Sequence, residues 1–308
     1  MKRTHVLSAA AAVAAPLPVR AQASDALRVA LVPVENAAQA YFAAELGLFA
    51  KARLDVDLQP LSNGGAIASA VAAGGADIGF ATVIPLALAH VRGLPLVFVA
   101  AGYVSNDRLP TSAMLVLPDA PIHRGADLNG KVVGTNGLAT INEYVPRAWI
   151  DATGGDATTV RFVELPFSGM PAALASGRVD AAYVAEPFTT QAKAHARVLF
   201  YGTAVTKDGD VLGGWFAATE WARTHTDVVR RFAGVMQQAA AWANANPAAC
   251  AAILSRRLKI EPQLAAAINR TTFAERLSAP RMQGSIDLAA RYAHFTPFPA
   301  EELIFEGR

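Results

Sequence analysis

The chain has 308 residues, 53% of them hydrophobic and many of those alanine, which is enough for two folded domains and too apolar for a disordered tail. A formal charge of +2, with Lys and Arg scattered along the chain, lacks the concentrated basic footprint that nucleic-acid binding needs. The single cysteine, Cys250, excludes an internal disulfide and a cysteine metal cluster, and its setting is that of a small buried helix side chain.

The first stretch differs from the rest. Lys2, Arg3 and His5 form a basic start, Val6 to Ala15 is an apolar run, and Pro16 to Ala23 ends in small residues. That order predicts a secretory signal peptide over 1–23, cut after Ala21 or Ala23. No later stretch is long and apolar enough to span a bilayer, so the expected location is the periplasm of a double-membraned bacterium.

Leu27 to Val32, ended by Pro33, predicts a strand buried on both faces, and Asn36 a cap for the helix carrying Phe42, Leu46 and Phe49. Leu54 to Leu58 alternates as a second strand, Ser62 to Gly65 forms a turn, and a helix follows over 66–73. Ile78 to Ala81 and Leu96 to Ala101 are strands on either side of a helix containing Leu86 and Leu88. This βαβαβαβ order implies a mainly parallel sheet covered by helices. Strands at 131–134, 159–165 and 181–184, with helices at 142–152 and 170–176, repeat the plan. The remainder, 227–292, is mostly helical, with Thr226 as the expected cap of its first helix.

A shift of 103 residues carries Gly74, Asp77 and Phe80 onto Gly177, Asp180 and Tyr183, and Arg28-Val29-Ala30 onto Lys131-Val132-Val133. A common offset at both ends of a unit indicates two similar half-folds. The expected architecture is α/β with two lobes, each a mainly parallel sheet flanked by helices: 27–112 with 212–308, and 113–211. Two crossings, near Leu109 to Met114 and Val211 to Phe216, would form the hinge.

In such sheets ligands gather beyond the carboxyl ends of the strands, where helix starts present free N–H groups. The loop candidates are Glu35 and Asn36, Asn63, Gly64 and Gly65, Thr82, Thr135 and Asn136, and Ser168. Asn63-Gly64-Gly65 and Ser168-Gly169 equally suit turns needed only for folding. Glu186 follows an apolar run directly and is either a cap or an acceptor for a donor on the ligand. Tyr41, Phe167, Phe188 and Trp215 are candidate ligand walls, Trp215 foremost because it follows Gly213-Gly214, whereas Phe80 reads as core. Asp77 and Asp180 suit turn fixing rather than acid–base chemistry. No metal, nucleophile or dinucleotide motif is present, so neither catalytic residues nor a cofactor are expected.

Four segments carry a family resemblance: Ala44 to Phe49 followed by Leu54-Asp55-Val56, Gly74 to Gly79, Asp127 to Gly134, and Gly177 to Ala182 with Glu186-Pro187. In order and spacing the chain resembles the periplasmic substrate-binding proteins of ABC importers for nitrate, sulfonate, taurine and related solutes. That family also contains the thiamine-pyrimidine synthesis proteins. The resemblance implies the periplasmic binding protein fold, closing on one solute and presenting it to a membrane permease driven by a cytoplasmic ATPase. It also implies a monomer and a site lined by the loops at Ser62 to Gly65, Thr82, Thr135 to Gly137, Phe167-Ser168 and Glu186. The synthases resemble enzymes that use a histidine and a cysteine-rich motif, from which a chain with one cysteine departs. Sulfonates, aromatic carboxylates and pyrimidine-type compounds remain open as the solute, and a lyase or synthase on the same two lobes is the alternative.

Overall fold

Short apolar runs closed by glycine or polar turn residues fold as strands, and the alanine-rich stretches between them fold as helices. The computed structural model describes residues 24–307; the leader expected over 1–23 lies outside them. β1 (Asp25–Leu31), β2 (Leu54–Pro60), β3 (Ile78–Thr82) and β4 (Leu96–Val104) alternate with α1 (Gln39–Glu45), the one-turn α2 (Leu48–Lys51), α3 (Gly64–Ala72) and α4 (Val83–Val91). β5 (Ser112–Val116) opens a second sheet, followed by β6 (Val132–Thr135), α5 (Ile141–Ala152) and β7 (Arg161–Glu164). α6 (Met170–Ala175), β8 (Ala181–Ala185), α7 (Phe188–Ala192) and β9 (Arg197–Tyr201) complete that sheet. β10 (Val211–Ala218) returns to the first, and α8 (Thr219–Thr224), α9 (Thr226–Ala245), α10 (Pro247–Leu258), α11 (Pro262–Ala267), β11 (Thr272–Phe273) and α12 (Ala279–Ala293) follow.

The first sheet runs β11-β4-β10-β3-β1-β2 and the second β7-β6-β8-β5-β9. Taken from β2, the first five strands of one sheet match the other strand for strand. In each, the fourth strand is the antiparallel one, and it is the strand delivered by a crossing from the other sheet. The crossings expected near 109–114 and 211–216 lie earlier, at 105–111 and 202–210, because Val211 to Phe216 already belongs to β10. They bond to each other: Ser105 N–H donates to Asp210 O at 2.8 Å, and the Ser105 and Thr206 hydroxyls lie 2.7 Å apart.

The internal repeat has a physical basis. Asp77 Oδ2 accepts the N–H of Arg28 at 2.8 Å, and Asp180 Oδ2 accepts that of Val132 at the same distance. Each aspartate thus ties the entry of one strand to its parallel neighbour, at the middle of β1 and at the start of β6. Gly74 and Gly177 take φ of 72° and 69° where α3 and α6 end, a left-handed conformation that side chains resist.

Two expected caps are absent. Thr226 turns its hydroxyl back to the Arg223 carbonyl at 2.9 Å instead of capping α9. Asn36 sits in a 3-10 turn (Glu35–Ala37), where its Oδ1 accepts from the Thr271 hydroxyl at 3.0 Å. In both cases a tertiary or preceding-turn partner outcompetes the cap.

The larger core lies under the first sheet, where β4 is buried except for its last residue. Gly102 permits the close approach of β10, since a Cβ there would meet Gly213 O at 2.7 Å and Phe80 Cε2 at 2.8 Å. Gly213-Gly214 is therefore a packing feature of β10. Among the described residues no helix is long and apolar enough to cross a membrane.

Candidate functional site

The carboxyl ends of β1, β2, β3 and β4 face those of β6, β7 and β8 across the gap between the sheets. The front chamber there has about 520 Å³ of space free of protein atoms, part of it open to solvent. Val34, Asn36, Asn63, Gly64, Thr82 and Tyr103 line it from the first lobe; Asn136, Thr140, Asn142 and Phe167 line it from the second. A rear chamber toward the crossings shares Asn36, Tyr103, Asn142 and Ala185 with it and adds the hydroxyls of Ser105, Ser112 and Thr206. Outside Phe167, a third space at the rim is lined by Ser62, Ser168 and Phe188. Among the described residues no Lys, Arg, His, Asp or Glu lines any of these three spaces.

Local structure explains the polar groups. Asn63 caps α3, its Oδ1 accepting from Ala66 N at 2.9 Å. Thr82 precedes α4 without a side-chain cap bond, so the first N–H groups of that helix lack intrahelical partners at the chamber wall. Thr140 caps α5 and places Asn142 on its first turn. Phe167 stacks on Phe188 with ring centroids 5.8 Å apart, and Phe80 borders the same chamber.

Of the residues expected at the site, the structure gathers Asn36, Asn63, Gly64, Thr82, Asn136 and Phe167 around the front chamber and Ser168 and Phe188 at its rim. Gly65 lies in a separate groove between α3, α4 and the 138–140 loop. Thr135 is fully buried and directs its hydroxyl to Gly137 O at 3.5 Å, shaping the loop from behind. Tyr41 is buried in the core on α1. Trp215, expected as a ligand wall, has no exposed surface; its indole N–H donates to Gln39 Oε1 at 2.7 Å, between Phe80 and Phe232.

The two glutamates also sit elsewhere. Glu186 is completely buried, and its oxygens accept from Thr190 N at 3.0 Å, Thr190 Oγ1 at 2.8 Å and Asn269 N at 3.4 Å. Both oxygens of Glu35 accept from Thr271 N, at 3.0 and 2.9 Å. With Asn269 Nδ2 donating to Pro110 O at 2.8 Å and Glu35 N–H to Glu186 O at 3.3 Å, they tie the 269–271 segment to the first crossing. Burial pushes the Glu35 carboxyl up to about 8 despite the Thr271 N–H and the Arg270 guanidinium 3.9 Å away, and burial raises Glu186 also. These carboxyls accept from the protein's own donors and line none of the three spaces.

Sequence reasoning missed Tyr103, Thr140 and Asn142; Phe80, expected in the core, is buried there and borders the chamber. Tyr103, hydrogen-bonded to Asn36 and shifted upward by burial, is the penultimate residue of β4, near the carboxyl end as Thr82 is at the end of β3, so the strand-end rule applies to it too. The Thr140-Ile141-Asn142 helix start was a local signal as well.

The NMT1/THI5 like family model matches residues 34–250. The formylaminopyrimidine-binding protein of Halalkalibacterium halodurans is 32% identical over 141 residues, 46% of this chain and 41% of that protein. The taurine-binding periplasmic protein of Escherichia coli is 29% identical over 180 residues, 58% of this chain and 54% of that protein. The chain thus matches about half the length of these curated relatives. The alkanesulfonate-binding protein SsuA from Xanthomonas axonopodis pv. citri, bound to MOPS, aligns with a TM-score of 0.76 at 20% identity over 92% of this chain and 99% of that one. The periplasmic nitrate-binding protein NrtA from Synechocystis aligns with a TM-score of 0.73 at 15% identity over 88% and 82%. With a matching family model over most of its length and the two-sheet architecture of these structures, the chain belongs to the NMT1/THI5-like family and has the two-lobed fold of periplasmic binding proteins.

Proposed function

We propose that the protein is the exported, monomeric solute-binding component of an ABC importer, delivering one small organic solute to a membrane permease driven by a cytoplasmic ATPase. The observation that carries this reading is the chamber walled by both lobes: a guest held there touches each lobe and favours their closure. Binding without turnover fits walls of amides, hydroxyls and aromatic rings, with no nucleophile supported by a base.

The walls favour a solute with a planar part, held beside Phe167, Phe80 and Tyr103, and an acceptor-rich end. With no cation in the lining, an anionic end would rest on the N–H groups of α3 and α4 and on asparagine amides. Pyrimidine-type compounds and aromatic carboxylates meet both requirements, and a short aliphatic sulfonate meets the second alone.

A thermal-shift screen of pyrimidines, aromatic acids and sulfonates tests this. A true solute at 100 times its Kd should stabilise by about 2.7 kcal/mol, raising Tm by roughly 5 °C or more. No shift with any class would overturn the receptor reading. Asn142→Ala should weaken binding of that solute about ten-fold by calorimetry while leaving the empty protein's Tm within a degree or two, since one hydrogen bond to the guest is lost. Unchanged affinity would remove Asn142 from the site.

A further inference from the structure

On one rim of the chamber a single carboxylate joins the lobes. Glu164, the last residue of β7 and exposed, accepts from Asn63 Nδ2 of the first lobe at 2.9 Å through Oε1. Through Oε2 it accepts from Leu138 N of its own lobe at 3.3 Å. Beside it Asn136 Nδ2 donates to Ser62 O at 3.2 Å, again across the gap. Gly137 lies between these pairs: a Cβ there would stand 3.6 Å from Asn63 Cβ, an ordinary contact with the opposite lobe, and a tighter 3.1 Å from Thr140 Cγ2 of its own loop.

We infer that Glu164 is a positioning residue that latches the lobes: it holds the 136–140 loop and Asn63 in their binding positions and biases the empty protein toward closure. Asn63 and Asn136 line the chamber, whereas Glu164 does not, so the carboxylate acts on the guest only through them. Asn63 is the junction, since its Oδ1 caps α3 and its Nδ2 reaches Glu164. Opening the lobes breaks the Glu164–Asn63 and Asn136–Ser62 bonds together. The inference rests on the receptor reading for its purpose, but its geometry is testable without any solute.

Spin labels at Ala73→Cys and Ser176→Cys, exposed positions at the ends of α3 and α6, report the distance between lobes. Cys250 is buried and stays unlabelled. In the solute-free doubly labelled protein, Glu164→Ala should raise the ratio of open to closed molecules about five-fold, the effect of one charge-assisted hydrogen bond near solvent. Glu164→Gln, which retains one acceptor, should fall between the two. If a solute has been found, its off-rate should rise by a similar factor with the ranking of solutes unchanged. Identical distance distributions in all three proteins, or a lowered Tm without a changed distribution, would overturn the latch. A screen in which nothing binds would overturn the receptor reading and leave the distance result standing.

Discussion

Trp215→Ala is expected to cost about 3–5 kcal/mol of stability, with a further contribution of roughly 1–3 kcal/mol from the stranded Gln39 carbonyl. The residue has no exposed surface and stands 5.1 Å from the Phe80 ring and 5.7 Å from the Phe232 ring, centroid to centroid. Its indole N–H occupies Gln39 Oε1, whose amide in turn donates to Met236 O at 2.7 Å, so one substitution opens a cavity and breaks a buried chain joining β10, α1 and α9. For a chain of this size the loss corresponds to a fall in Tm of roughly 10 °C or more. Trp215→Phe keeps most of the volume and should cost mainly the hydrogen bond. Differential scanning calorimetry checks both; a Trp215→Ala protein of unchanged Tm that no longer binds solute would return Trp215 to the ligand wall.

Stability is also expected to decline as pH rises from about 5 to about 8.5, through Glu35. Its carboxyl is raised from the ordinary glutamate range to about 8 because burial penalises the charge more than the Thr271 N–H and Arg270 favour it. A raised acid binds more protons folded than unfolded, so its contribution is fully present below the unfolded value and is lost as pH climbs through the folded one. The shift corresponds to at most on the order of 5 kcal/mol across that window, or roughly 10 °C in Tm. Glu186, raised in the same direction, reinforces the slope. Glu35→Gln, a neutral isostere, should flatten the dependence; parallel Tm profiles for the parent and Glu35→Gln would refute this account. The effect arises at the join between the lobes, because Glu35 and Glu186 grip the 269–271 segment and the first crossing.

Local chemistry was sufficient for the architecture. Strand and helix periodicity, glycine stops at Gly74 and Gly177, and aspartates that each fix a neighbouring strand are all short-range or repeated features. They marked two matching α/β units from residue order alone. The same rules placed Asn63, Thr82, Asn136 and Phe167 at strand ends, where the structure gathers them around one chamber. What distance in sequence concealed was the fate of each polar or aromatic group after packing. Glu186 and Glu35 look available along the chain, but their oxygens are taken up by Thr190, four residues beyond Glu186, and by the N–H groups of Asn269 and Thr271, more than eighty residues away. Trp215 follows a glycine pair suited to a hinge, yet its partner Gln39 is 176 positions distant and lies in the core. Strand ends and caps follow from neighbours, whereas whether a side chain meets solute, core or another segment depends on which remote donors and rings fill the space around it first.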